Sequence, residues 1–180
     1  MAAMRALADE IKSPKYAHVE RERCWLVDTA SRPALDGLSS VLIEDRYIRN
    51  TRLRLRCMTN SVTGETSLKL TKKYETRDPL ARPIVTAYLT AAEHALLETL
   101  DAEPLVKRRY PIAISGVDWS LDVFAGPLDG LELLEIEAAN AVGLNALAPP
   151  AWAGAEVSAD PDFEGATLAS RGLAKGGPWR

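Results

Sequence analysis

Residues 52–58 read Arg-Leu-Arg-Leu-Arg-Cys-Met. In a strand, successive side chains point to opposite faces. The spacing puts Arg52, Arg54 and Arg56 on one face and Leu53, Leu55 and Cys57 on the other. Taken alone, this is an ordinary antiparallel strand with one face on a core and one in water. What matters is whether the rest of the chain repeats it.

It does. In Ser67–Tyr74, SLKLTKKY, Lys69, Thr71 and Lys73 share a face opposite Leu68 and Leu70. Parity favours Lys69 and Lys73 over Lys72. Lys107 and Arg109 pair in VKRRY, and Glu135 and Glu137 in LLEIEA, with Leu134 and Ile136 behind them. Asp122 is in line with Asp118, Ser120 and Phe124 in VDWSLDVF. The first strand, HVERERCWLVD from His18 to Asp28, sets Glu20 and Glu22 side by side with Cys24 next on that face. The signs are segregated by strand, whereas a solvated face more often mixes Thr, Ser, Gln, Lys and Glu. The pattern fits charged faces that line an interior tunnel, with Leu53, Leu55, Leu70 and Ile136 packed outside under helices. Seven cations in one cavity (Arg52, Arg54, Arg56, Lys69, Lys73, Lys107, Arg109) repel unless a polyanion is present. The carboxylates Glu20, Glu22, Asp122, Glu135 and Glu137 call in turn for a divalent cation. Mg²⁺ or Mn²⁺ takes such oxygen ligands, usually together with substrate phosphates.

Around these strands the sequence predicts a fold of about eight antiparallel strands, a barrel or strongly curved sheet with helices outside, α+β and mainly β. Strands are expected at Val19–Val27, at Ser40–Glu44 with Tyr47, and at Pro83–Leu89, Leu105–Ile114, Val117–Phe124 and Leu131–Ala138, besides those quoted. TNSVTGET between the third and fourth is a hairpin loop in which Gly64 is free to take positive φ. Thr90-Ala-Ala-Glu93 is a capping box. The helix Thr90–Leu100 should bury Leu89, Ala92, Leu96, Leu97 and Leu100. Short helical pieces are expected around Pro150–Trp152 and Phe163–Ser170. Residues 1–14 read as an arm or short helix, 15–170 as the tunnel domain and 171–180 as a mobile tail. His18 and His94 read as surface or packing residues, Trp119 and Trp152 as core, and Arg21 and Arg23 as a solvated pair.

Bulk properties narrow the partners. The chain has 180 residues, 47% of them apolar and 26% charged, with a net charge of −3. These values suit one globular domain, with no global drive toward nucleic acid or anionic membrane. No DNA or membrane partner is expected. No apolar run approaches the roughly 20 residues of a membrane helix. Two cysteines, Cys24 and Cys57, in separate predicted strands suggest a reduced cytoplasmic protein.

The motifs in their order resemble the CYTH domain, the triphosphate tunnel metalloenzyme superfamily. That family opens on Glu-x-Glu-x-Lys followed by an aromatic-Leu-Val, here Glu20-Arg-Glu22-Arg-Cys24-Trp-Leu-Val. The likeness runs on through DRYIRNTRLRLR, LKLTKKY, Lys107-Arg-Arg109-Tyr, LDVFAG and LLEIEA, roughly from Lys15 to Ser170. It implies an eight-stranded antiparallel tunnel that binds a triphosphate with Mg²⁺ or Mn²⁺ and, in most members, cleaves it; a few members are adenylate cyclases. By the resemblance, Glu20, Glu22, Asp122, Glu135 and Glu137 hold metal. Arg52, Arg54, Arg56, Lys69, Lys73, Lys107 and Arg109 hold phosphate, and Glu20 or Glu137 serves as general base with Lys73 beside it. Two positions depart from the pattern. Cys24 replaces the lysine of the opening motif, and Ile84 and Thr86 stand where the family often has an acidic pair. The expected function is therefore a weak metal-dependent hydrolase of a triphosphate-containing small molecule, inorganic or nucleoside. The alternative is a module that binds polyphosphate or nucleotide without turning it over.

Overall fold

A computed structural model describes residues 14–173. The expected arm over 1–14 and tail over 171–180 lie, but for Pro14 and residues 171–173, outside the described residues. The elements run β1 (His18–Val27), β2 (Val41–Ile48), β3 (Leu53–Asn60), β4 (Thr66–Lys73), β5 (Ala81–Tyr88), α1 (Ala91–Glu98), β6 (Ala102–Ile114), β7 (Val117–Phe124), β8 (Glu132–Glu137), α2 (Ala141–Ala146), β9 (Ala153–Glu156) and α3 (Gly165–Arg171).

Eight strands pair antiparallel in the order β5-β4-β3-β2-β6-β7-β8-β1, and β1 pairs back onto β5 to close the barrel. Closure removes the open sheet edges on which other chains could pair. The seam is staggered. Residues 18–21 of β1 pair with β5, whereas residues 22–26 pair with β8. Trp25 and Val27 also pair with β9, a ninth strand outside the closed barrel. Gly64 takes φ 71° in the β3–β4 turn, and the Asn60 side chain accepts from the Val62 and Thr63 amides at 2.8 and 3.0 Å.

Alternation sorts the side chains into an outer core and a lined interior. Trp25, Trp119, Leu121, Leu134 and Ile136 pack with Leu144 of α2, and the two indole rings lie 5.6 Å apart. Trp152 packs partly buried against this cluster. Leu55 and Ile136 are 1% and 3% exposed. Leu70 is half-buried, and Leu53, at its strand end, borders the central cavity. A second core of Leu26, Leu105, Phe124, Leu131, Leu133 and Val157 receives Leu168 of α3. Leu105, Phe124, Leu133 and Leu168 also line the cavity, so α3 helps give it an apolar floor.

Besides Leu53, which borders the cavity instead of packing outside it, three expectations fail here. The capping box forms, with Thr90 accepting from the Glu93 amide and Glu93 from the Thr90 amide, but α1 does not bury its leucine stripe. His94 and Leu97 face inward, while Leu96 is 71% and Leu100 41% exposed. The helix is eight residues long and pinned at both ends, by its cap and by Arg46, whose Nη2 donates to the Glu98 and Leu100 carbonyls at 3.1 Å. Those anchors fix its rotation in place of the stripe. The helix expected at Pro150–Trp152 is a turn that leads into β9. Arg23 is not solvated. It forks onto Glu156 of β9 at 2.9 and 2.7 Å, donates to the Leu147 carbonyl at 3.1 Å and stacks on the Trp25 ring at 4.5 Å. No helix among the described residues is long and apolar enough to cross a membrane.

Leu55→Ala tests which side of RLRLRCM meets the core. A buried Leu→Ala change costs about 2–5 kcal/mol, read as a lower urea midpoint at unchanged slope. A loss well under about 1 kcal/mol would put the leucine face in water.

Candidate active site

The barrel encloses a cavity of about 950 Å³. All eight strands send charge to this interior: Glu20 and Glu22 from β1, Asp45 from β2, Arg54 and Arg56 from β3, and Lys69 and Lys73 from β4. Arg82 comes from β5, Lys107 and Arg109 from β6, Asp122 from β7, and Glu135 and Glu137 from β8. Every sequence-expected site residue except Asp122 lines the cavity, Arg52 included. Asp122 sits in the wall behind it, 0% exposed. Lys72 points away from the cavity, with its ammonium 5.1 Å from the Tyr74 ring.

The crowded cations are largely neutralised from within. Asp45, which the charge pattern did not single out, is 2% exposed and accepts a fork from Arg56 at 2.6 and 2.7 Å. Arg54 Nε lies 3.8 Å from the same carboxylate. Burial alone would push the Asp45 carboxyl up, but Arg56, Arg54 and Lys107 outweigh it and hold it below its ordinary range. Asp122 is gripped twice. Arg109 donates to both of its oxygens at 2.7 Å, and Lys107 donates to Oδ2. Against its burial, these partners hold Asp122 far below the carboxylate range. Glu135 accepts from Arg109 and has Lys107 at 3.7 Å. Asp122 and Glu135 thus act here as counter-ions to Lys107 and Arg109. The repulsion that seemed to require a polyanion is met in large part by the protein.

The remaining carboxylates come together at the seam of β1. Glu20, Glu22 and Glu137 each present an oxygen within 4.8 Å of the others. Glu22 faces Glu137 across the β1–β8 ladder, and Glu20 faces Arg82 across β1–β5. The three are not equivalent. Glu20 accepts from Lys73 Nζ at 3.0 Å. Burial opposes its ionisation, yet Lys73, Arg54 and Arg56 lower its pKa. Glu22 is pushed up to about 8 by burial and by the charges of Glu135 and Glu20, which Lys73 and Arg109 only partly offset. Burial and the like charges of Glu20 and Glu135 raise Glu137. A carboxylate group under like-charge stress, offering only hard oxygen donors, suits a divalent cation such as Mg²⁺ or Mn²⁺.

The two departures from the family pattern also face the cavity. Cys24 lies opposite Glu135, and burial with Glu135 and Glu22 nearby pushes its thiol well above the ordinary range. An activated thiolate nucleophile would need the opposite shift. Ile84 and Thr86 line the tunnel, with the Thr86 hydroxyl 3.0 Å from that of Thr71. Arg82, also missed by the charge pattern, pairs with Glu164 ahead of α3.

The Asp45 pair carries a pH signature. Its carboxyl titrates below 3.8 in the folded state, so the fold binds fewer protons there than the unfolded chain. The contribution is present above roughly pH 4 and is lost as pH falls through the lowered value. Asp45→Asn leaves Arg56 unpaired in the interior and should cost about 3–5 kcal/mol at neutral pH. Urea midpoints taken from neutral pH down to about pH 3 should show that deficit shrinking in acid. A deficit equal at every pH would mean that the charge of Asp45 is not what stabilises the barrel.

No family model and no curated protein matches the chain. Its structure is similar to the crystal structure of the inorganic triphosphatase NE1496, at 26% identity and a TM-score of 0.55, over 83% of this chain and 93% of that one. A structure of the hypothetical protein NE1496 matches at 25% identity and the same TM-score, over 83% and 97%. The PH1819 protein from Pyrococcus horikoshii OT3 matches at 20% identity with a TM-score of 0.49, over 70% and 82%. The chain thus shares the closed tunnel fold of the NE1496 structures, and its motifs resemble those of the CYTH superfamily in their order.

Proposed function

We propose that the tunnel is the active site of a divalent-metal-dependent hydrolase that cleaves a phosphoanhydride bond in a triphosphate-containing small molecule. The observation that carries this reading is the placement of the Glu20, Glu22 and Glu137 carboxylates in the same cavity as Arg52, Arg54, Arg56, Lys69, Lys73, Lys107 and Arg109. The likeness to a protein described as an inorganic triphosphatase supports it.

Glu20, Glu22 and Glu137 would hold the cation, Mg²⁺ or Mn²⁺. When bound, it supplies Lewis-acid polarisation of phosphoryl oxygens. The chain's own cations hold the phosphate chain in line and stabilise charge on the departing phosphate. Lys73, tied to Glu20, brings an ammonium to the seam. Glu20 or Glu137 would take the water's proton; Glu20 is already tied to Lys73, which leaves Glu137 the freer acceptor. Cys24 supplies no charge beside Glu22. A lost charge-assisted contact costs roughly 1.5–3 kcal/mol, so turnover is expected to be slow. The neutral Cys24, Ile84 and Thr86 favour, as a second reading, a tunnel that binds triphosphate without cleaving it.

Phosphate release from inorganic triphosphate, ATP, GTP and thiamine triphosphate, with Mg²⁺ and with Mn²⁺, decides between the two. Slow release that Glu22→Gln abolishes and Cys24→Lys raises about ten- to a hundredfold supports the hydrolase. Tight binding with no release in either the wild type or Cys24→Lys supports the binding module.

Metal loading has its own signature. With Glu22 at about 8, the metal-free site carries a proton there at neutral pH. Cation binding requires the carboxylate and expels that proton. Mn²⁺ titrated calorimetrically at neutral pH in buffers of different ionisation enthalpy should release about one proton per ion, and the release should fade above roughly pH 9. Release that is absent at neutral pH would place the cation away from Glu22.

A further inference from the structure

We propose that Tyr47 is a positioning residue for the Arg54 phosphate clamp, and that α3 holds it in place through Gly165; the inference rests on the triphosphate reading of the tunnel.

Tyr47 and Arg54 are directly opposite across the β2–β3 ladder, and both line the cavity. The Tyr47 side chain lies close enough to the Arg54 guanidinium to raise its pKa, together with Asp45, against the effect of burial. Arg54 is held differently from its neighbour Arg56. Arg56 spends two donors on Asp45 in a closed fork, whereas Arg54 Nε stands 3.8 Å from that carboxylate, buried and without a hydrogen-bond partner. Nε itself is shut off from the cavity, so a phosphate oxygen there would meet the part of the Arg54 side chain that stays exposed, 13% of it, rather than Nε. A flexible arginine would lose conformational freedom on binding such a ligand; one already fixed by Tyr47 loses less.

Tyr47 is fixed from its other side. A β-carbon built on Gly165 would overlap the Tyr47 hydroxyl oxygen and lie 2.9 Å from Cζ. Only a glycine lets the first residue of α3 approach the ring this closely. The backbone at Gly165 is otherwise helical and would favour alanine. The ring also packs against the apolar floor that receives Leu168. The chain of contacts runs from α3 through Gly165 and Tyr47 to Arg54, so the seating of the C-terminal helix sets the aim of one clamp.

The test uses the full chain and two readouts. The Arg54 Nε–Hε signal in arginine-labelled protein, assigned by its loss in Arg54→Lys, should move in Tyr47→Phe and in Gly165→Ala. Inorganic triphosphate titrated with Mg²⁺ should bind about tenfold more weakly to Tyr47→Phe, whereas Tyr47→Phe made in an Arg54→Lys background should add no further loss to that of Arg54→Lys alone. Tyr47→Phe also removes the hydroxyl that a Cβ on residue 165 would strike. Gly165→Ala should therefore weaken binding when Tyr47 is intact and much less when it is combined with Tyr47→Phe. An unmoved Arg54 signal in Tyr47→Phe overturns the proposal, as do additive losses from Tyr47→Phe and Arg54→Lys. A purely structural Tyr47 would lower the melting temperature while leaving affinity and the Arg54 signal as in the wild type. Wild-type protein that binds no triphosphate fails the reading of the tunnel, and the Arg54 signal then decides the positioning by itself.

Discussion

The barrel depends on the neutralisation of its own interior. Asp45 with Arg56, and Asp122 with Lys107 and Arg109, put opposite charges in hydrogen-bonding contact at positions water barely reaches. An unpaired charge at either place would cost several kcal/mol, and in practice the group would neutralise itself. The strand order makes the pairing possible. β2 lies between β3 and β6, so Asp45 meets Arg56 across one ladder and reaches the field of Lys107 across the other. Arg109 faces Asp122 in register across β6–β7. A one-residue slip in either ladder would send a member of each pair to the opposite face. Register and charge balance are therefore one constraint.

That constraint divides the cavity wall in two. From β2 through β7 the carboxylates are matched to cations. At the seam, where β1 exchanges β5 for β8 as its partner, Glu20, Glu22 and Glu137 converge, and only Glu20 has a direct cationic partner among the described residues. Glu22 and Glu137 register the difference as raised proton affinity, whereas Asp45 and Asp122 register theirs as lowered. Opposite shifts in one cavity separate carboxylates matched to cations from carboxylates crowded by like charge.

Much of this was legible from period-two patterning, because strands with one uniformly charged face and one apolar face announce both structure and orientation. The parts that stayed hidden share a physical cause. Asp45 sits between Ile43 and Tyr47 on its face, and Arg82 is followed there by Ile84 and Thr86, so neither interior face repeats a charge. β9 is four residues of Ala, Gly and Glu, without the branched or aromatic side chains that signal a strand. Arg23 looked solvated only because β9 and the end of α2, which supply its partners, were missing from the reading. The leucine pattern of α1 was real, but eight residues fixed by a cap and by Arg46 took their rotation from those contacts. Within the site, sequence parity selected the lining residues but could not say which carboxylates other side chains already held.

Buried ion pairs are a poor device for stability. Well-packed apolar residues of similar volume are often as stabilising or more so, by about 1–4 kcal/mol. This chain has apolar side chains on its interior face, and where it uses them, at Leu105, Phe124, Leu133 and Leu168, they pack into a floor. The same chemistry repeated along the barrel would fill the tunnel. Long cationic side chains braced on short carboxylates do the opposite, since each pair fixes its heads at the wall and leaves the axis open. A volume of about 950 Å³ lined this way is stable only if the charges are held apart from one another and close to their partners. Under the proposed function, an anion placed on the axis would meet cations already ordered at the wall, so less conformational freedom would be lost on binding.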